Sequence, residues 1–197
     1  MKLLLVRHGE TIENALRLIQ GHLGGSLSRK GQGHAEKLAE QLKHVELGAI
    51  YSSDLNRTRQ TAEIIIRHHK VPVTFTPLLR ERNFGELQGK PIYLIDLWSL
   101  KTGKNRWLIE PKGGETIAEF QSRIKSFLSR LSKIKTRKPV LIVSHRGTMR
   151  MIMAIAKGID PVEAMAIPMG HGEVLTLELE RKQKKEKEKE KKKAKRA

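Results

Sequence analysis

The chain of 197 residues contains no cysteine. That excludes a disulfide framework, a thiol nucleophile, a thiolate zinc centre and iron–sulfur ligation together. Aromatic residues make up 4%, too few for the stacking platforms that grip single-stranded nucleic acid. No apolar run approaches the ~18 residues of a membrane span. The run Leu3–Val6 is shorter than the roughly 7–15-residue core of a secretory signal. The expectation is a cytoplasmic protein with no membrane partner. Acidic residues are scarce too: 21 Asp and Glu stand against 39 Lys and Arg, a formal net charge of +18. Such a field steers small anions, phosphorylated metabolites above all, toward the surface.

What is present fits a globular protein. Hydrophobic residues at 38% and charged residues at 30% are ordinary values for a folded domain, and the length suits one domain. The charge is uneven. Residues 181–197 hold eleven Lys or Arg and three Glu, a net of +8, which leaves +10 for residues 1–180. The tail has no apolar face to offset its ordering entropy. It is read as a solvated appendage, disordered or a frayed helix, following a single domain over 1–180. Nucleic acid is a partner only if this tail acts as a tether through counterion release.

Hydrophobic periodicity predicts alternating strands and helices. Lys2–Val6 and Pro139–Val143 are continuous apolar runs, the pattern of parallel strands buried on both faces. Ala49–Tyr51 is a short strand closing at Ser52–Ser53. Val71–Phe75 is a strand in which Pro72 marks the start or an edge. Ala35, Leu38, Ala39 and Leu42 repeat at helical spacing after Ser28. Ala62, Ile65 and Ile66 do so after Leu55, and Met149, Ile152, Met153 and Ala156 after Val143. The cleanest stripe is Ile117, Phe120, Ile124, Phe127, Leu128 and Leu131. Pro91–Leu100 reads as a helical insertion. Val174–Leu179 alternates as a half-buried final strand at an edge. The fold class is therefore α/β, three layers (α/β/α) around a mostly parallel central sheet, the last strand antiparallel at its edge.

Ligands of open α/β sheets bind beyond the carboxyl ends of the strands. Arg7-His8-Gly9-Glu10 follows the first strand, and Ser52-Ser53-Asp54-Leu55-Asn56-Arg57 the second. Leu79-Arg80-Glu81-Arg82 comes after the third, and Ser144-His145-Arg146-Gly147 after the fourth. Of eight histidines, only His8 and His145 directly follow strands, each with an Arg and a Gly within two residues. Guanidinium forks match phosphate oxygens, and a neutral imidazole is a competent nucleophile. His22, His34 and His44 show no metal-ligand spacing, and His171 precedes the last strand, where it could border a pocket.

These stretches resemble, in order, the motifs of the histidine phosphatase superfamily, which includes the cofactor-dependent phosphoglycerate mutases. Leu5-Val6-Arg7-His8-Gly9-Glu10-Thr11 with Asn14 is similar to the family's opening motif. Ser52 to Ala62 resembles the second, Leu79 to Gly85 the acid-bearing loop, and Val143-Ser144-His145 the second histidine motif. The resemblance implies that His8 becomes a phosphohistidine and that Arg7, Arg57 and His145 hold the phosphoryl oxygens. It further implies that Glu81 protonates the leaving oxygen and activates water, unless it merely pairs with Arg80 or Arg82. Asn14, Gln20, Gly21 and Arg146 would add substrate contacts, although Asn14 also suits a turn or cap. No metal and no cofactor are implied. Departures occur at Gly24 and Ser26, where the family often has Asp and Pro, and at Arg146, where a small residue is common. Arg146 either adds a phosphate contact or points to solvent.

Three functions follow. The first is a metal-independent phosphatase of small phosphorylated metabolites. The second is a phosphoglycerate mutase using 2,3-bisphosphoglycerate, suggested by Glu81 to Gly89. Against it, Lys90–Pro111 lacks paired arginines for a substrate carboxylate, and Gly113-Gly114-Glu115-Thr116 looks phosphatase-like. The third is an anion- or nucleic-acid-binding protein without turnover.

Overall fold

A computed structural model describes residues 1–180, and the tail read over 181–197 lies outside the described residues. Five strands, β1 (Lys2–Arg7), β2 (Ala49–Ser53), β3 (Val73–Thr76), β4 (Val140–Ser144) and β5 (Val174–Glu178), form one sheet in the order β3-β2-β4-β1-β5. The pairs β1/β4, β2/β4 and β2/β3 are parallel, and β5 runs antiparallel to β1 at the edge. The helices are α1 (Ile12–Ala15), α2 (Arg29–Leu42), α3 (Asn56–Ile65), α4 (Tyr93–Thr102), α5 (Ile117–Leu131), α6 (Arg146–Lys157) and α7 (Pro161–Ala164).

The period-2 pleat explains why β1 and β4 read as unbroken apolar runs. Leu3, Leu5, Val140 and Ile142 pack against Phe120, Ile124 and Phe127 of α5 and Met149 and Ile152 of α6. Leu4, Val6, Leu141 and Val143 face the other way, against Leu38 and Leu42 of α2 and Ala62 and Ile65 of α3. Each such side chain contributes about 1.5–3 kcal/mol on full burial, so the three layers are fixed by alternation alone. Pro72 has no N–H for a ladder, and β3 accordingly starts one residue later, at the sheet's other edge.

Local chemistry sets the helix entries. The Ser28 side chain accepts from Gly31 N at 3.0 Å, and Thr116 and Glu119 form a reciprocal capping box on α5. The insertion becomes α4, whose Ile95 joins Ile19 and Ile109 in a small third core. An antiparallel bridge between Leu18 and Pro91 ties it to the loop after α1. The insertion thereby walls one side of the sheet's carboxyl end.

Candidate active site

Arg7 is the last residue of β1, in register with Ser144, and His8 N donates to Ser144 O at 3.0 Å. The parallel register therefore delivers the residues after β1 and β4 to one place. The His8 and His145 rings lie 5.2 Å apart, tilted by 59°. Both are buried.

His8 Nδ1–H donates to Gly9 O at 2.7 Å, which leaves the lone pair on Nε2. Burial holds the His8 pKa well below the usual histidine value, and the charges of Arg57 and Arg7 push the same way. The imidazole is thus neutral and its Nε2 nucleophilic at physiological pH. Gly9 N donates to Thr61 Oγ1 at 3.1 Å, fixing the carbonyl that orients the ring. His145 Nε2 meets Ser53 Oγ at 2.9 Å. Ser53 Oγ also accepts from Leu55 N at 3.3 Å; in the tautomer where the Ser53 hydroxyl donates to Nε2, the imidazole N–H sits on Nδ1. Burial, then Arg57, keeps His145 neutral as well. His171 borders the site as expected, and its Nδ1–H donates to His8 O at 2.7 Å. Its pKa is pushed down to about 4 by burial first and Arg7 next. His34 stacks on His171 with ring centroids 5.4 Å apart.

Among the described residues, four buried nitrogens around these rings have no hydrogen-bond partner: Arg7 Nε and Nη1, Arg57 Nε, and His145 Nδ1. Burial, reinforced by Arg146, lowers the Arg7 pKa to about 9, while Glu81 opposes the shift. Burial alone lowers Arg57 to about 10 against Glu81 and Glu13. Both remain cationic at neutral pH. The expected role of Arg57 is narrowed. Its Nη1 donates to Leu23 O and Gly24 O, and its Nη2 to Gly21 O, all at 2.7 Å. The Gly24 loop is thus organised from below, and Nε–H with the second N–H of Nη2 are the donors left for an anion.

Glu81 is not neutralised by its neighbours. Arg80 pairs with Asp54 at 2.6 Å, and Arg82 donates to the carbonyls of Glu115, Trp107 and Ile109. The Glu81 carboxylate instead accepts from Arg82 N and, at the first turn of α6, from Gly147 N, each at 3.0 Å. Arg123 holds this loop through the carbonyls of Leu78, Arg80 and Glu81. Asn14 takes the capping role: its Oδ1 closes a capping box with Thr11, and the residue also lines the cavity. Gln20 and Gly21 line the same cavity. Gly21 has φ +52°, and a Cβ there would fall 2.1 Å from Gln88 Oε1, so its part is played by the backbone. Arg146 lines the cavity and is exposed. Arg150, Arg123 and Trp107 had no sequence signal, and Ser53, Thr61 and Arg82 lay inside recognised motifs with no such role assigned. Their partners lie far along the chain, or, for Arg150, they sit inside an apolar helical stripe.

The cavity measures about 400 Å³. Among the described residues no cluster of three or more His, Asp or Glu is placed to hold a metal, and no helix is long and apolar enough to cross a membrane. A neutral nucleophilic imidazole, buried cationic donors and a carboxylate held at a helix start are together suited to phosphoryl transfer. The description "histidine phosphatase superfamily (branch 1)" matches residues 3–191. The adenosylcobalamin/alpha-ribazole phosphatase of Salmonella typhimurium is 34% identical over 158 residues, 78% of either chain. Phosphoglycerate mutase-like protein 4 of Arabidopsis thaliana is 34% identical over 163 residues, 79% of this chain and 71% of that protein. The crystal structure of the alpha-ribazole phosphatase from Shigella flexneri superposes with a TM-score of 0.83 at 28% identity, covering 92% of both chains.

Proposed function

This chain belongs to the histidine phosphatase superfamily, and on that footing we propose that it is a metal-independent phosphatase of small phosphorylated metabolites working through a phosphohistidine at His8. The observation that carries the reading is the set of four buried nitrogens around His8, three of them arginine donors, that have no partner among the described residues. Unpaired buried polar groups are costly, and the three nonbridging oxygens of a phosphoryl group would satisfy them.

His8 Nε2 attacks phosphorus in line, and the P–O bond to the leaving group breaks. Glu81 serves as the general acid that delivers a proton to the departing oxygen. The phosphorylated imidazole keeps its Nδ1–H on Gly9 O, which favours the positive charge the ring gains. Arg7, Arg57 Nε and His145 Nδ1–H hold the oxygens as charge spreads over them. Water then attacks the phosphohistidine and loses its proton to Glu81, and inorganic phosphate leaves with His8 restored. Cationic side chains supply the charge that a metal brings elsewhere, so no cofactor takes part, and residues 1–180 form the catalytic unit.

Hydrolysis of p-nitrophenyl phosphate in EDTA tests this. Expected are its loss by roughly 10³-fold or more in His8→Ala and acid-labile ³²P on the wild-type protein during turnover. Undiminished activity in His8→Ala would overturn the reading. The mutase reading is favoured by the likeness to a mutase-like relative. It takes first place if 3-phosphoglycerate is isomerised faster than hydrolysed when 2,3-bisphosphoglycerate is added. No turnover on any phosphate ester would leave an anion-binding protein.

A further inference from the structure

One phosphoryl group does not use up the positive charge of the cavity. Seven arginines line it against two carboxylates, Glu10 and Glu81. Arg7 and Arg57 serve the reacting phosphoryl group. Arg82 is committed to backbone carbonyls, and Arg106 pairs with Asp96 at 2.6 Å. Arg17, Arg146 and Arg150 remain; Arg17 is exposed just past α1, whereas Arg146 and Arg150 stand four residues apart on α6 and so on one face of it, with Cα atoms about 6 Å apart along the axis.

Arg150 is only 7% exposed. Its Nε donates to Ile167 O at 2.7 Å, and its guanidinium lies 5.6 Å from the Trp107 ring, which Arg106 approaches at 5.1 Å. Those contacts fix its plane without neutralising it. Among the described residues, the ion pairs include no carboxylate partner for Arg146 or Arg150. Burial lowers the Arg150 pKa to about 10, and Arg146 pushes it in the same direction. A buried guanidinium beside a second, exposed one of the same sign is unfavourable unless an anion joins them. The same cavity is lined by Phe84, Ile95 and Phe120, apolar surface suited to the carbon skeleton of a substrate whose two ends are anionic.

We infer that Arg146 and Arg150 form a second anion subsite, and that preferred substrates carry a carboxylate or a second phosphate on the leaving group. This rests on the phosphatase reading and adds the substrate class. The sequence left Arg146 open between a phosphate contact and solvent, and it offered no role for Arg150.

A matched three-carbon series tests the subsite: glycerol 1-phosphate, 3-phosphoglycerate and glycerol 1,3-bisphosphate. With the full chain, kcat/KM for one or both doubly anionic esters should exceed that for glycerol 1-phosphate by roughly ten- to hundredfold, the worth of a charge-assisted hydrogen bond. Which of the two is favoured identifies the anion. In Arg146→Gln and Arg150→Met the ratio should fall toward one. Arg146 is exposed, so its variant remains informative if Arg150→Met fails to fold. Equal wild-type values, a ratio unmoved in both variants, or an equal loss on all three esters would overturn the subsite. If p-nitrophenyl phosphate is not turned over, the phosphatase reading fails by itself. The subsite is then judged by calorimetric binding of the same three esters to the wild-type chain, with the same ratios required.

Discussion

A single hydrogen bond decides which nitrogen of His8 can react. With Nδ1–H given to Gly9 O at 2.7 Å, Nε2 carries the lone pair, and the depressed pKa keeps it unprotonated below the usual histidine range. The acidic limb of kcat/KM assigned to His8 should therefore lie below pH 6.5, the ordinary histidine value. A limb at or above it in a pH–rate profile would contradict a buried neutral nucleophile. The same shifts bear on stability. His8, His145 and His171 have folded-state pKa values below the unfolded value, His171 at about 4. The unfolded chain thus binds more protons between those values. Stability is full above about pH 6.5, drains as pH falls from there toward 4, and each fully shifted histidine contributes a slope of up to about 1.4 kcal/mol per pH unit. Urea midpoints that stay level across this window would rule the shifts out. Gly147 supplies a third test. A Cβ there would meet Glu81 Oε1 at 2.3 Å, and the carboxylate is the far end of a flexible side chain. Gly147→Ala should leave thermal stability unchanged or slightly raised, since Ala is the better helix former by about 1 kcal/mol. It should lower kcat on aryl phosphates more than tenfold by displacing Glu81.

Elements bring these atoms together through backbone approach as much as through side chains. A Cβ on Gly9 would sit 2.1 Å from Gly31 O, and one on Gly31 would sit 1.9 Å from Glu10 O. The nucleophile loop and the first turn of α2 therefore touch main chain to main chain. Gly31→Ala should cost about 1–3 kcal/mol, as overpacking does, and also reduce kcat, because the loop that moves carries His8. Melting curves and rates unchanged by the substitution would show that the contact does not matter. The sheet was largely legible beforehand because β1 and β4 are apolar on both faces. The strand β2 was truncated in the sequence reading because Ser52 and Ser53 look like a turn. Both are buried ladder residues, paired with Phe75 and Thr76 of β3. Arg7, His8, Glu81 and His145 were legible because each lies within a few residues of a strand or loop end marked by its motif. Arg82 and Arg123 were not, because they act on carbonyls 25 to 45 residues away. The role of Arg57 was half legible: its place was right, but three of its bonds go to the carbonyls of residues 21, 23 and 24.

Across the whole molecule, two populations of positive charge should respond differently to salt. The net +18 acts at a distance and is screened as the Debye length falls from about 30 Å at 0.01 M to about 3 Å at 1 M. Arg7 and Arg57 are buried and act at contact, where screening is weak. Ionic strength should therefore lower kcat/KM for a phosphate dianion severalfold while kcat stays nearly constant, because encounter is steered by the field and chemistry by the buried donors. A parallel decline of kcat would mean that the buried arginines are not what holds the transferring group. Eleven of the 39 basic residues lie in 181–197. Ending the chain at Glu180 should then flatten the salt dependence of kcat/KM and leave kcat in place, which separates long-range attraction from the site that performs the transfer. If the shortened protein kept the full salt slope, attraction would come from the arginines around the cavity mouth, with no share for the tail.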